Sequence, residues 1–278
     1  MRTIFAMGGG GFTMEPRNQA LDRHVLALAR RPVPRVCFLP TASGDPIEHM
    51  TRFHEAFSDL PCEPTDLSLF RLNRRPVDVR RLLLAQDIVY VGGGSLRNML
   101  AIWRVHGLDV ILRECWERGI VLAGLSAGAM CWFEAGVTKS TGRAEPVAGL
   151  GLLPGSLSVH YDGEPERRPV YLDAVASGAV PDGFGADDGV GMVWRDRRLE
   201  RAVSSRPQGR CVRVRRDSDR AVEEPLPVEV LAGRGQRATP DDVREFRAMT
   251  RRRAGPGARG GGDPPRAPGP SRRPQIRP

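Results

Sequence analysis

The stretch Ile120-Val121-Leu122-Ala123-Gly124-Leu125-Ser126-Ala127-Gly128-Ala129-Met130-Cys131-Trp132-Phe133 decides the fold. An apolar run suited to a buried strand leads into Gly-x-Ser-x-Gly, and helix-compatible residues 129–133 follow. Strand, sharp turn and helix with a serine at the turn is the pattern of a nucleophile elbow. The flanking glycines permit its strained backbone, because a Cβ at either one would press on the neighbouring strand or helix. The hydroxyl of Ser126 then stands off the sheet edge, and the next N–H, that of Ala127, is placed to donate to an oxyanion.

Upstream of the elbow, the same alternation repeats. Residues 2–7, 35–39, 65–70 and 87–91 read as strands; residues 21–30, 47–60, 77–84, 96–105 and 108–117 carry helical spacing. Strands and helices alternating at this pace specify a parallel sheet covered on both faces, the α/β doubly wound class. In such sheets ligands sit outside the carboxyl ends of the strands. That rule brings Gly8-Gly9-Gly10-Gly11, Thr41-Ala42-Ser43-Gly44, Gly92-Gly93-Gly94-Ser95 and Ser126 to one edge. The first glycine cluster lacks the Gly-Lys-Ser/Thr of a phosphate loop and reads as a tight strand end. The second gives its backbone N–H groups close access to a tetrahedral oxyanion, so Gly93 or Gly94 is the expected second donor.

Beyond the elbow the pattern changes. Residues 145–155 read as loop-rich and 169–177 as helical. Residues 189–194, 199–204 and 211–215 read as short strands forming an antiparallel edge, with one more strand within 223–233 and a last helix over 241–252. From residue 251 onward Gly, Pro and Arg dominate, which leaves too little apolar surface to fold. The expected partition is therefore a hydrolytic domain over 1–250 and a disordered tail over 251–278.

The net charge of +9 is mostly a property of that tail. Eight arginines stand there against Asp263, leaving +2 for residues 1–250. No aromatic residue interleaves the tail arginines, so nucleic acid is not the expected partner. No apolar run is long enough for a membrane span, and the first residues reach glycine before a signal-peptide core could form; cytoplasm is the default expectation. Five cysteines, scattered and without a C-x-x-C pair, read as reduced thiols. No metal-ligand spacing is present, and acyl transfer by a serine needs no cofactor.

A serine hydroxyl needs a base oriented by a carboxylate. His24, His49, His54 and His106 fall in predicted helices or at a helix end. His160, in Ser158-Val159-His160-Tyr161-Asp162-Gly163-Glu164, follows a predicted strand and is the candidate base. For the acid, Asp162, Glu164, Glu145, Asp187 and Asp188 all remain open at this level. Gly92-Gly93-Gly94-Ser95, Gly124-Leu125-Ser126-Ala127-Gly128-Ala129 and the His160 loop together resemble the peptidase E family of serine peptidases. That family is related to the cyanophycinases and, more distantly, to the class I glutamine amidotransferase-like fold. The similarity spans about residues 1–231.

The resemblance implies a Ser-His-Glu triad whose acid sits in an acid-Gly context at the start of a late strand. Asp188-Gly189 matches that position with a side chain one methylene shorter. A second acid soon after the elbow corresponds most nearly to Glu145. The implied activity is hydrolysis of dipeptides with an N-terminal Asp. Arg167 and Arg168 are candidate partners for the substrate carboxylate, since a guanidinium matches it bidentately. The alternative reading is a small-molecule binding module that keeps the fold without the chemistry.

Overall fold

The computed structural model describes residues 1–232. The predicted helix over 241–252 and the tail over 251–278 lie outside them. Strand β1 (Thr3–Met7) opens the chain, followed by α1 (Gly11–Met14), α2 (Ala20–Ala27), β2 (Arg35–Leu39), α3 (Ile47–Ser58), β3 (Glu63–Asp66), α4 (Val79–Leu84), β4 (Ile88–Val91), α5 (Leu96–Val105), α6 (Leu108–Glu117), β5 (Val121–Leu125) and α7 (Ala127–Met130). After the elbow come β6 (Ala135–Thr138), β7 (Glu145–Ala148), β8 (Ser156–Val159), α8 (Arg167–Ala176), β9 (Gly183–Ala186), β10 (Val190–Arg195), β11 (Arg198–Ser204), β12 (Cys211–Asp217), β13 (Arg220–Leu226) and β14 (Val228–Val230).

The strands form two sheets. The larger has the order β14-β11-β10-β1-β5-β4-β2-β3. Its half from β1 to β3 is parallel throughout, while β10 adds antiparallel to β1 and β11 antiparallel to β10. This is the expected mixed α/β architecture. Side chains alternate across the larger sheet: Phe5, Met7, Val36, Phe38, Ile88 and Tyr90 pack on one face under α2 and α3. Ile4, Ala6, Cys37, Leu39, Val89 and Val91 pack on the other, with α5, α6 and α7. Both faces are dry, as buried parallel strands require.

The second sheet, β13-β12-β9-β8-β6-β7, was not anticipated as a separate layer. Its Leu157, Val159, Phe184 and Ala186 share a core with the larger sheet, while its other face packs Val137 and Val214 against Tyr171, Ala174 and Val175 of α8. Three strands, β7 and β13 of this sheet and β3 of the larger one, depart from the sequence expectation for one reason. Residues 145–155 contain β7, the strand expected over 65–70 is β3 with Pro64 inside it, and β13 carries Pro225. All three strands lie at sheet edges, where a proline's missing N–H need not face a partner strand.

The helix after the elbow is shorter than expected and displaced toward the serine. The carbonyls of Cys131 and Phe133 accept from the N–H groups of Leu150 and Gly151, which competes with helical continuation. Among the described residues, no helix is long and apolar enough to cross a membrane.

Candidate active site

The carboxyl ends of β1, β4 and β5 lie side by side, with β5 between the other two. Ser126 follows β5 directly with φ 54° and ψ −117°, a conformation rare for a residue with a Cβ. The elbow glycines make the bend sterically feasible. A Cβ on Gly124 would sit 2.1 Å from the Gly128 carbonyl oxygen, and one on Gly128 would sit 2.4 Å from that of Val91.

His160 follows β8 in the second sheet, also with positive φ (53°). Strained non-glycine residues of this kind cost on the order of 1–3 kcal/mol and concentrate at working sites. Its Nε2 lies 2.9 Å from Ser126 Oγ, and its Nδ1 lies 2.5 Å from Asp188 Oδ1. Both His160 (8% exposed) and Asp188 (1%) are buried. Asp188 arrives here through the topology. β9 runs parallel to β8 and ends beside it, whereas β10 is antiparallel to β1, so its first residues meet the end of β1. Residues 187–189 are the crossover between the two sheets, at the same edge as the elbow.

One short segment holds all three parts in register. The carbonyls of three consecutive residues, Met7, Gly8 and Gly9, accept from the N–H groups of Ser126 (3.0 Å), His160 (3.2 Å) and Gly189 (3.1 Å). Gly9 also leaves room for the acid, because a Cβ there would sit 2.1 Å from Asp188 Oδ1. The glycine run at the end of β1 is thus the surface against which the serine, imidazole and carboxylate segments are aligned.

Of the five acids considered, Asp188 is the one whose side chain meets the imidazole. Asp187 instead accepts from the N–H (3.1 Å) and Nε (3.2 Å) of Arg210. Burial, and then the nearby charge of Asp162, push the Asp187 carboxyl above the usual range. Glu164 pairs with Arg167 at 2.9 Å. Glu145 lies on β7, accepting from Thr141 Oγ1 (2.9 Å) and Arg97 Nε (3.0 Å), and these two donors lower its pKa. Among the described residues, no hydrogen bond or ion pair joins Glu145 to Ser126, His160 or Asp188.

Gly93 lies against the nucleophile: a Cβ on it would be 3.2 Å from Ser126 Cβ. Gly94, with φ 143°, turns the chain against the Ala42 carbonyl. Among the described residues, no hydrogen bond uses the N–H of Gly93, Gly94 or Ala127, so these candidate oxyanion donors are uncommitted within the protein.

The two arginines differ. Arg167 is 5% exposed, donates from Nη1 to the Val159 carbonyl (3.2 Å), and burial lowers its pKa. Arg168 is half exposed, pairs bidentately with Glu223, and lies over the Tyr161 ring.

Sequence reasoning did not find a buried polar set beneath the glycine run. Glu15, fully buried, accepts from Ser205 Oγ (2.6 Å) and Arg206 Nε (2.5 Å), while Ser205 N–H and Oγ hold the Gly189 carbonyl. Nearby, Asp22 accepts from Tyr90 Oη (3.2 Å), and burial pushes its pKa up to about 7. These partners are up to 191 positions apart, and no local pattern announces them.

The family model for peptidase family S51 matches residues 4–202. The uncharacterized peptidase YgaJ of Bacillus subtilis (strain 168) is 46% identical over 231 residues, covering 83% of this chain and all of that protein. Two solved structures share the fold. A peptidase from an acI-B1 actinobacterium superposes with a TM-score of 0.57 at 16% identity, over 85% of this chain and 97% of that one. A candidate peptidase E protein from Listeria monocytogenes EGD-e gives 0.51 at 17% identity, over 72% and 96%.

Proposed function

The chain belongs to peptidase family S51 and is a serine peptidase; from that premise we propose that it hydrolyses small peptides, dipeptides with an N-terminal Asp among them, through an acyl-enzyme on Ser126. The observation that carries this reading is the continuous line Ser126 Oγ, His160 Nε2, His160 Nδ1, Asp188 Oδ1, with gaps of 2.9 and 2.5 Å. In the proposed reaction Ser126 Oγ attacks the scissile carbonyl while its proton passes to His160 Nε2. Asp188 holds the Nδ1–H tautomer and stabilises the imidazolium that forms. The oxygen of the tetrahedral intermediate takes hydrogen bonds from Ala127 N–H and from Gly93 or Gly94 N–H. His160 then returns the proton to the leaving amine, the C–N bond breaks, and water repeats the sequence to release the acid.

Selectivity for an acidic first residue requires a cation at the pocket. Arg167 and Arg168 are the proposed readers, both on the helix that follows the His160 turn. Arg168 would have to exchange Glu223 for substrate, whereas buried Arg167 lies closer to the base through its bond to the Val159 carbonyl. A panel of Asp-X, Glu-X, Ala-X and isoaspartyl dipeptides, with tetrapeptides for length, tests the proposal. It predicts kcat/KM for Asp-X at least tenfold above Ala-X. Equal turnover across the panel would contradict the acidic preference.

A further inference from the structure

The acid and base segments are joined by a contact that involves neither of their reacting atoms. Asp162 Oδ1 accepts from the backbone N–H of Asp188 at 2.9 Å, across 26 residues. Asp162 stands two positions after His160, within a turn closed by the N–H groups of Gly163 and Glu164 on the His160 carbonyl (both 3.0 Å). The Tyr161 N–H bonds the Ala186 carbonyl at 3.2 Å, extending the β8–β9 pairing into this turn. The base-bearing turn therefore grips the acid-bearing crossover from both ends of residues 186–188.

We propose that Asp162 is a positioning residue for the peptidase reaction, fixing the Asp188 peptide so that its short carboxylate meets His160 Nδ1. Residues 187–189 leave one sheet and enter another, so no ladder continues through them. The N–H of Gly189 is held by Gly9 and that of Asp187 by the Arg210 carbonyl. Between those backbone anchors the Asp188 N–H is held by a side chain. An aspartate has two side-chain torsions, so its carboxylate position follows its backbone closely, and an ångström of drift costs about a hundredfold in rate. Glu15 and Ser205 support the far side of the same turn through Gly189. Asp162 alone among these supports reaches the acid from the base-bearing turn, and it is solvent-exposed, so its replacement leaves the core intact.

This inference rests on the catalytic reading of Ser126, His160 and Asp188, and the test separates the two. Asp162→Ala and Asp162→Asn are compared with the wild type in three measurements: the rate of Ser126 labelling by a fluorophosphonate, kcat and KM on a dipeptide, and hydrogen exchange at the Asp188 amide. The Asn variant keeps an acceptor oxygen without the charge. The expected result for Ala is labelling and kcat down ten- to a hundredfold, KM within twofold, and faster Asp188 exchange. Asn should stay within about threefold of wild type. Unchanged Asp188 exchange in the Ala variant overturns the proposal even where Ser126 is inert. An Asn variant as slow as Ala overturns it too, because charge rather than position would then be responsible.

Discussion

The elbow and the base–acid pair are built in opposite ways. The elbow is local: Gly124, Ser126 and Gly128 lie within five residues, and its steric logic is complete in the β5–α7 corner. The base–acid pair is assembled across 28 positions, from the end of a strand in one sheet and the crossover into another. The first is a property of residue spacing and the second of strand register. What unites them is the end of β1, whose Met7, Gly8 and Gly9 carbonyls touch both. A site made this way should fail differently according to which half is damaged: loss of fold at the elbow, loss of rate at the crossover.

The largest expected effect breaks the crossover half alone. Asp188→Asn keeps the size of the buried side chain and should lower kcat by about 10³–10⁴, with the thermal midpoint moved little, because an amide can donate to Nδ1, holding the wrong tautomer, and carries no charge to stabilise the imidazolium. Steady-state kinetics beside a melting curve checks this. A variant with wild-type kcat would remove Asp188 from the mechanism.

Next comes the elbow half. Gly128→Ala sets a methyl group 2.4 Å from the Val91 carbonyl and 2.8 Å from that of Gly92, both backbone atoms with no room to yield. A cost of about 3 kcal/mol in urea unfolding is expected. A fully stable Gly128→Ala protein would mean the bend tolerates side chains and the local argument is wrong.

The last effect lies under the loop common to both halves and grows with pH. The folded-state pKa of Asp22, about 7, is above its unfolded value of 3.8, with burial the leading cause, opposed by the Tyr90 hydrogen bond and reinforced by the Glu15 charge. The folded protein keeps a proton that the unfolded chain releases. Stability from this group is therefore full below about pH 4 and lost as pH rises to about 7. Asp22→Asn cannot ionise and still accepts from Tyr90, so its stability relative to wild type should rise by about 4 kcal/mol across that window and level off above it. Denaturant titrations at several pH values read this out, and a difference independent of pH would contradict it.

The same contrast explains what was legible in the chain. Ser126 and the glycines of the elbow were readable because spacing carries their chemistry. Helices 96–105 and 108–117 appear with those bounds because their apolar periodicity is strong. His160 was reachable as the histidine after a strand in a polar loop. Spacing alone could not choose among Glu145, Asp162, Glu164, Asp187 and Asp188, since what separates them is where two sheets meet; only the acid-Gly resemblance pointed to Asp188. Strands β3, β7 and β13 were blurred by Pro64, Pro146 and Pro225, which look like breaks until the strands are seen to be edges. The Glu15–Arg206 and Asp22–Tyr90 contacts left no local trace at all.

The central claim is that the Ser126 hydroxyl is activated by His160 across the 2.9 Å gap between them. Mass spectrometry of the protein after fluorophosphonate treatment, with wild type, Ser126→Ala and His160→Ala compared, tests it most directly. The account predicts one adduct on the peptide containing Ser126 in wild type, none in Ser126→Ala, and labelling slowed by at least a hundredfold in His160→Ala. An adduct that persists in Ser126→Ala, or full-rate labelling without His160, would contradict it.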